Sequence, residues 1–316
     1  MRAVWLMEFG GPEALVPGDA PEPVPDEGQA LVEVEFVNTT FVETQMRAGK
    51  APFPMKEPPV VLGNGVGGVV TAVGPGADAG LVGRRVVSAT GGTGAYAELV
   101  AVDAAGMLEV PDGVALDEAV ALLADGRTAV MMLRAAAPRP GERVLVEAAA
   151  GGVGTLLVQL AKAAGAVVVA AAGGAHKAEL PLGLGADEAV DYREPGWTEK
   201  VEKVDVVLDG VGGDVAREAF TLLGTGGRMV SFGLASGEWA GIPEEDAAAR
   251  GVTLVKTAAA PEELREFTQT ALDEAAAGRL KPVIGQRFPL EGAADAHAAI
   301  ESRSTVGKTL LEVRRA

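Results

Sequence analysis

Cysteine is absent from this 316-residue chain and histidine occurs only twice. The missing thiols exclude disulfides, thiolate nucleophiles, iron–sulfur clusters and every zinc site built with sulfur. His176 and His297 stand 121 positions apart, too sparse a set for a zinc centre unless carboxylates supply the remaining ligands, so no metal is expected. Phe, Trp and Tyr together make only 4% of the chain, so its cores must be built mostly from Ala, Val and Leu. Basic residues are also scarce, 27 against 44 acids, and the resulting net charge of −17 repels a phosphate backbone. A nucleic-acid partner is therefore not expected. No run reaches the roughly 18 apolar residues of a membrane helix, and Glu8 and Gly10 interrupt the N-terminal stretch where a signal peptide needs unbroken apolar sequence. The expected protein is soluble and cytoplasmic, with no membrane partner.

What the chain does have is glycine, 43 residues, within an ordinary balance of 48% hydrophobic and 22% charged residues. The length suggests two domains. Up to about residue 122 the pattern is short apolar runs punctuated by Gly and Pro, as in Ala30–Phe36, Gly67–Val73 and Arg85–Ser88, which predicts closely spaced strands of a barrel or sandwich. From Val114 to Ala136 the sequence reads as helix, ended by Pro138 and Pro140. Strand Arg143–Glu147, a glycine turn, helix Thr155–Ala164 and strand Val167–Ala170 then form a βαβ unit. Both of its strands are continuously apolar, as a parallel sheet covered on two faces requires. Further strands are predicted at 188–191, 205–209, 227–232 and 252–255, giving a doubly wound sheet. After a helix over 262–277, segments 283–288 and 308–313 again resemble strands of the first kind. The C-terminus is expected to return to the first domain, which then comprises 1–122 and 262–316, with 123–261 between.

Ala149-Ala-Gly-Gly-Val-Gly154 follows the first strand of the βαβ unit as an A-x-G-x-x-G form of the dinucleotide fingerprint. Gly151 and Gly152 let the backbone approach a pyrophosphate, Gly154 lets helix and strand touch, and the free N–H groups at the helix start face the anion. An NAD enzyme usually carries Asp or Glu at the end of the second strand to bind the ribose 2′-hydroxyl. Here that place reads Ala171-Ala-Gly-Gly-Ala-His-Lys177, without an acid, and Lys177 can meet a 2′-phosphate. NADPH is the expected cofactor.

This turn, together with Val158–Ala166, Leu184–Arg193, Asp205–Gly213, Val230–Gly233 and Gly307–Leu311 in that order, resembles the zinc-free quinone oxidoreductases, the ζ-crystallin-like group of the medium-chain dehydrogenase/reductase superfamily. The resemblance covers the whole chain. It implies an α/β protein with a GroES-like β-rich catalytic domain made from both chain ends, a Rossmann doubly wound parallel-sheet domain inserted between them, an active-site cleft and a homodimer. It also implies that Thr128 and Val153 flank the nicotinamide, that Phe232 and Gly233 meet its carboxamide through the backbone, and that Lys177 and Tyr192 surround the 2′-phosphate.

The departures from that pattern are as informative. Zinc-bearing relatives carry Gly-His-Glu and cysteines around the stretch that here reads Leu62-Gly-Asn-Gly-Val-Gly-Gly68, and the glutamate common in zinc-free members is replaced by Gly65. Thr40 and Gln45 stand where the family usually has Asn and Tyr. Both can donate a hydrogen bond to a substrate oxygen, but Gln cannot supply a proton at ordinary pH. The expected activity is NADPH-dependent hydride transfer to a small electron-poor acceptor, a quinone or an α,β-unsaturated carbonyl, with no metal, with Thr40 and Gln45 as the catalytic donors and with the proton arriving from solvent. Two alternatives stay open: an enone or enoyl reductase of a biosynthetic pathway, and an NADPH-binding structural or sensing protein with little turnover.

Overall fold

The computed structural model describes residues 1–51 and 54–313. Strands β1 (Arg2–Leu6), β2 (Leu15–Asp19) and β3 (Gln29–Thr39) lead into a short helix, α1 (Phe41–Arg47). Then come β4 (Val60–Val61), β5 (Gly65–Val73), β6 (Arg85–Ala89), β7 (Leu99–Asp103), β8 (Leu108–Glu109) and the long helix α2 (Leu116–Ala136). The middle of the chain alternates strand and helix: β9 (Arg143–Val146), α3 (Gly152–Ala163), β10 (Val167–Ala172), α4 (Ala175–Gly183), β11 (Glu188–Asp191), β12 (Val204–Asp209), α5 (Gly213–Leu222), β13 (Leu223–Ser231), α6 (Glu244–Ala249) and β14 (Thr253–Val255). Helix α7 (Pro261–Ala276), strand β15 (Ile284–Pro289), helix α8 (Ala293–Glu301) and strand β16 (Lys308–Glu312) complete the order.

These elements form two compact units, residues 1–124 with 272–316 and residues 125–271. Both boundaries fall inside helices, α2 and α7. The front part of α7 groups with the second unit because Arg134 of α2 lies over the Phe267 ring, 5.0 Å from its centroid.

In the first unit a seven-stranded sheet runs β15-β16-β3-β5-β6-β8, with β7 pairing β3, beside a three-stranded sheet β2-β1-β4. The C-terminal strand β16 pairs antiparallel with β3, Thr309 opposite Thr39 and Leu311 opposite Val37. Alternation of buried and exposed residues along β3 sends Val32, Val34 and Val37 into a core shared with Leu6, Leu62, Val66, Tyr96 and Leu311. The glycine-rich start of β5 serves close packing. A Cβ on Gly67 would sit 2.2 Å from Val120 of α2, so only glycine lets the helix lie on this strand.

The second unit is a six-stranded sheet, β11-β10-β9-β12-β13-β14, with every pairing parallel. Its central strands read Arg-Val-Leu-Val and Val-Val-Val-Ala-Ala-Ala and are buried almost throughout, as strands with helices on both faces must be. Strand order reverses at β9, between β10 and β12, and in such sheets ligands bind where the C-terminal strand ends meet that switch point. The acidic run at 241–247, read as a solvated helix start, opens α6 with Glu244, Glu245 and Asp246 exposed in its first turn.

Candidate active site

The glycine turn lies at the switch point. After β9 the amide of Glu147 donates to Leu208 of β12 at 3.0 Å, and that of Ala149 to Ala171 of β10, also at 3.0 Å. The turn is thus pinned to both neighbouring strands. Ala148 takes a left-handed conformation, φ 48°, and its carbonyl accepts from Gly151 at 2.8 Å. Gly151 is extended and begins α3 without any side-chain cap, leaving the first-turn amides of the helix to an incoming anion. Gly154 packs on the turn: a Cβ there would lie 2.2 Å from the Ala148 carbonyl oxygen and 2.7 Å from the Ala149 Cα. Val153 is half-buried at the helix start, so it is not simply a core residue, and Thr128 is half-buried on α2. The helix begins at Gly152, three residues before the start expected from the sequence. The turn residues are therefore the helix N-terminus itself.

Phe232 and Gly233 leave β13 beside this turn. The Phe232 amide donates to Asp209 at 2.8 Å, its ring lies within 2.7 Å of where a Gly210 Cβ would be, and a Cβ on Gly233 would come within 2.5 Å of the Gly210 carbonyl. Ala148, Gly210, Phe232 and Gly233 therefore converge at one edge of the sheet.

At the exit of β10, the hydroxyl of Tyr192, the residue after β11, reaches Gly173, 2.7 Å from where a Cβ would stand. Lys177 lies in the first turn of α4, its amide bonded to Gly174 at 2.9 Å. Two residues at this exit escaped the sequence reading. Asp191, from the neighbouring strand, accepts from the amides of Gly174 at 2.8 Å and Arg193 at 2.9 Å, so a carboxylate does reach this place, committed to the main chain. Arg193 is exposed, with a guanidinium nitrogen 3.9 Å from a Cβ built on Gly174. The signal for it was present in Asp191-Tyr192-Arg193, but only the parallel pairing of β10 and β11 brings that segment to the second-strand exit.

Glu147, the residue after β9, and Asp209, the last residue of β12, are both fully buried. Asp209 accepts from the amides of Val211 at 3.0 Å and Gly212 at 2.8 Å, and Glu147 accepts from Val211 at 3.3 Å. Burial, then the Asp209 charge beside it, pushes the Glu147 carboxyl well above its ordinary range.

In the first unit Thr40 is the residue before α1. Its amide donates to Glu43 Oε2 at 2.5 Å and its hydroxyl to the same oxygen at 2.9 Å. Gln45 is half-buried and donates to the Thr44 hydroxyl at 3.3 Å. Among the described residues Thr40 and Gln45 share no hydrogen bond. The Thr40 hydroxyl thus lies against the Glu43 carboxyl. Glu43 was not foreseen. It is fully buried, its second oxygen accepts the Asn64 amide at 2.8 Å, and burial outweighs these donors and Lys308 to push its pKa up to about 7.

Behind it lies a buried polar cluster. Tyr96 bonds His297 Nε2 at 2.8 Å, and Arg47, 2% exposed, pairs with Glu301. Burial, assisted by the Arg47 charge, lowers His297 to about 3 and keeps it neutral. His297 is engaged with Tyr96 and so is not an open metal ligand. Among the described residues no group of three His, Cys, Asp or Glu is placed to hold a metal, and no helix is long and apolar enough to cross a membrane.

Two family models match the chain, the alcohol dehydrogenase GroES-like domain over residues 26–112 and the zinc-binding dehydrogenase over residues 184–311. A quinone oxidoreductase of Salmonella typhimurium is 35% identical over 96% of this chain and 97% of its own length. The chain belongs to the quinone oxidoreductase family. The solved structure of Escherichia coli quinone oxidoreductase complexed with NADPH superposes with a TM-score of 0.91 at 32% identity, covering 99% of this chain and 100% of that one. A 2-haloacrylate reductase from Burkholderia sp is 31% identical over 98% of both chains. Within the quinone oxidoreductase family the two units are thus the GroES-like and Rossmann-type parts of an α/β protein.

Proposed function

We propose that this quinone oxidoreductase family member is an NADPH-dependent oxidoreductase acting on a small electron-poor molecule, a quinone or an α,β-unsaturated carbonyl, without a metal. The observation that carries the reading is the uncapped start of α3 at the sheet's switch point, and the basic residues Lys177 and Arg193 in the segments after β10 and β11 support the choice of NADPH. The NADPH complex of the Escherichia coli relative and the names of the quinone and haloacrylate reductases support the cofactor and the substrate class. Bound NADPH supplies the hydride.

The chain's own part is placement. Gly151, Gly152 and Gly154 admit the pyrophosphate, Lys177 and Tyr192 hold the 2′-phosphate, Thr128 and Val153 border the nicotinamide, and the backbone of Phe232 and Gly233 meets its carboxamide. Thr40 and Gln45 orient the acceptor oxygen. The same reading makes the protein a cytoplasmic homodimer, as the family resemblance implies, and sedimentation would check that assembly.

NADPH oxidation measured with a panel of quinones and enones tests the function. Turnover of at least one acceptor is expected, at a rate unchanged after exhaustive chelation. NADPH binding without turnover of any acceptor would defeat the enzymatic reading, and activity lost on chelation and restored by zinc would defeat its metal-free form.

A further inference from the structure

We propose that Glu43 and Thr40 form a proton relay to the substrate oxygen, with Glu43 holding the proton behind the Thr40 hydroxyl. The inference rests on the hydride-transfer reading above and adds to it the source of the proton. A carboxylate that merely caps a helix start usually sits in water. Glu43 is instead fully buried, and of the pair only Thr40 is partly exposed, so a proton leaving the carboxyl outward passes over the Thr40 oxygen 2.9 Å away.

The surrounding groups explain why the carboxyl can carry that proton near neutrality. Burial favours the protonated form, and the amide and hydroxyl of Thr40, Lys308 of β16 and the Asn64 amide oppose it, for a balance near 7. From the segment between β6 and β7, Tyr96 faces the same carboxyl and, pushed above its ordinary range by burial and then by the Glu43 charge, stays neutral. His297 of α8 stays neutral through its burial and then through the Arg47 charge on α1, and Arg47 itself pairs with Glu301. Glu43 is thus the group in this cluster that changes protonation in the working pH range.

Reduction of the acceptor consumes one hydride and one proton. The hydride brings two electrons and leaves negative charge on the substrate oxygen. When Glu43 carries the proton, its Oε2–H donates to Thr40 Oγ across the 2.9 Å contact and the Thr40 O–H is turned outward; an O–H bond then forms at the substrate as the Thr40 O–H breaks, and Thr40 Oγ takes the proton from Glu43 Oε2 in the same event, so no alkoxide accumulates. Glu43 is left as a carboxylate, which solvent reprotonates before the next turnover. Glu43 acts through Thr40 and touches no reacting atom. It is a positioning residue for the proton.

The test compares Glu43→Gln, Thr40→Val and Thr40→Ser with the parent protein in kcat–pH profiles, solvent deuterium isotope effects and NADPH binding titrations. The parent kcat should fall as pH rises through about 7, because the protonated carboxyl is the active form. Glu43→Gln and Thr40→Val should each abolish this limb and the isotope effect and lower kcat at pH 6 by about 10- to 100-fold, at the weak end for general acid catalysis because water can substitute. The double variant should be no worse than either single one. Thr40→Ser should keep the limb, and NADPH affinity should be unchanged in all. Infrared spectra should show a protonated carboxyl band in the parent that is lost in Glu43→Gln, a readout independent of turnover. Acceptor reduction with the limb intact in Glu43→Gln and Thr40→Val, or the absence of that band at pH 6, would overturn the relay while leaving the function standing. Failure of every acceptor would remove the reaction itself and the relay with it.

Discussion

Lys177 is half-buried at the exit of β10 and Arg193 is exposed beside it. In the proposed reading these two basic residues meet a ligand with extra negative charge, and Asp191 beside them accepts from two main-chain amides. A charge-assisted hydrogen bond to a 2′-phosphate in a partly exposed place contributes about 1 to 2 kcal/mol. Lys177→Ala and Arg193→Ala are each expected to reduce the preference for NADPH over NADH by roughly 5- to 30-fold, the same interval expressed as a ratio. Fluorescence titration with both cofactors measures it. Equal affinities in the parent protein would remove the 2′-phosphate assignment.

Helix α3 was legible in sequence because everything that makes it is local: an apolar strand, a turn of small residues, then the continuously buried Thr155-Leu-Leu-Val run. Gly154 shows how tightly it is fixed. Exchange of glycine for alanine within a helix ordinarily gains up to about 1 kcal/mol. Here the added methyl would meet the Ala148 carbonyl at 2.2 Å, a backbone contact that cannot rotate away, and overpacking of this kind costs about 1 to 3 kcal/mol. The clash wins, so Gly154→Ala should lower the urea midpoint and weaken NADPH binding by shifting the helix start. An unchanged midpoint would show that helix and turn separate easily.

Helix α1 illustrates the opposite case. With seven residues it is too short to stand alone, and it is stabilised by burial of Glu43, Thr44, Met46 and Arg47 in the first unit. Thr40-Phe-Val-Glu43 marks its start locally as a capping box, but no local pattern marks the burial of Glu43.

Across the whole molecule, buried ionisable groups set opposing pH dependences. The folded-state pKa of Glu147 is raised above the ordinary 4.5, so the stability linked to it is fully present below that value and is lost as pH rises through the folded one. His297 works the other way. Its pKa is lowered from 6.5 to about 3, so the folded state loses stability as pH falls through that interval. Stability should therefore fall on both sides of a mildly acidic maximum, with the net charge of −17 adding self-repulsion on the alkaline side. Glu147→Gln removes a carboxyl that must otherwise stay protonated or bear a buried charge. Its melting temperature relative to the parent should rise from pH 5 to pH 8. A constant difference would mean that Glu147 ionises in the folded protein as it does in water.

The amino-acid sequence by itself determined the two architectures, the phosphate turn, the absence of thiol and sulfur–zinc chemistry and the family likeness. These depend on composition or on residues within a few positions of one another, and strand and helix periodicities are equally short-ranged. Tertiary structure decided what distant segments do together. Tyr96 and His297 bond across 201 positions of sequence, Asp191 and Arg193 reach the β10 exit through strand pairing, and β16 closes on β3. Thr40 was legible as a candidate hydroxyl donor. Glu43, only three residues away, became an acid of neutral pKa through burial, and burial depends on every element packed around it.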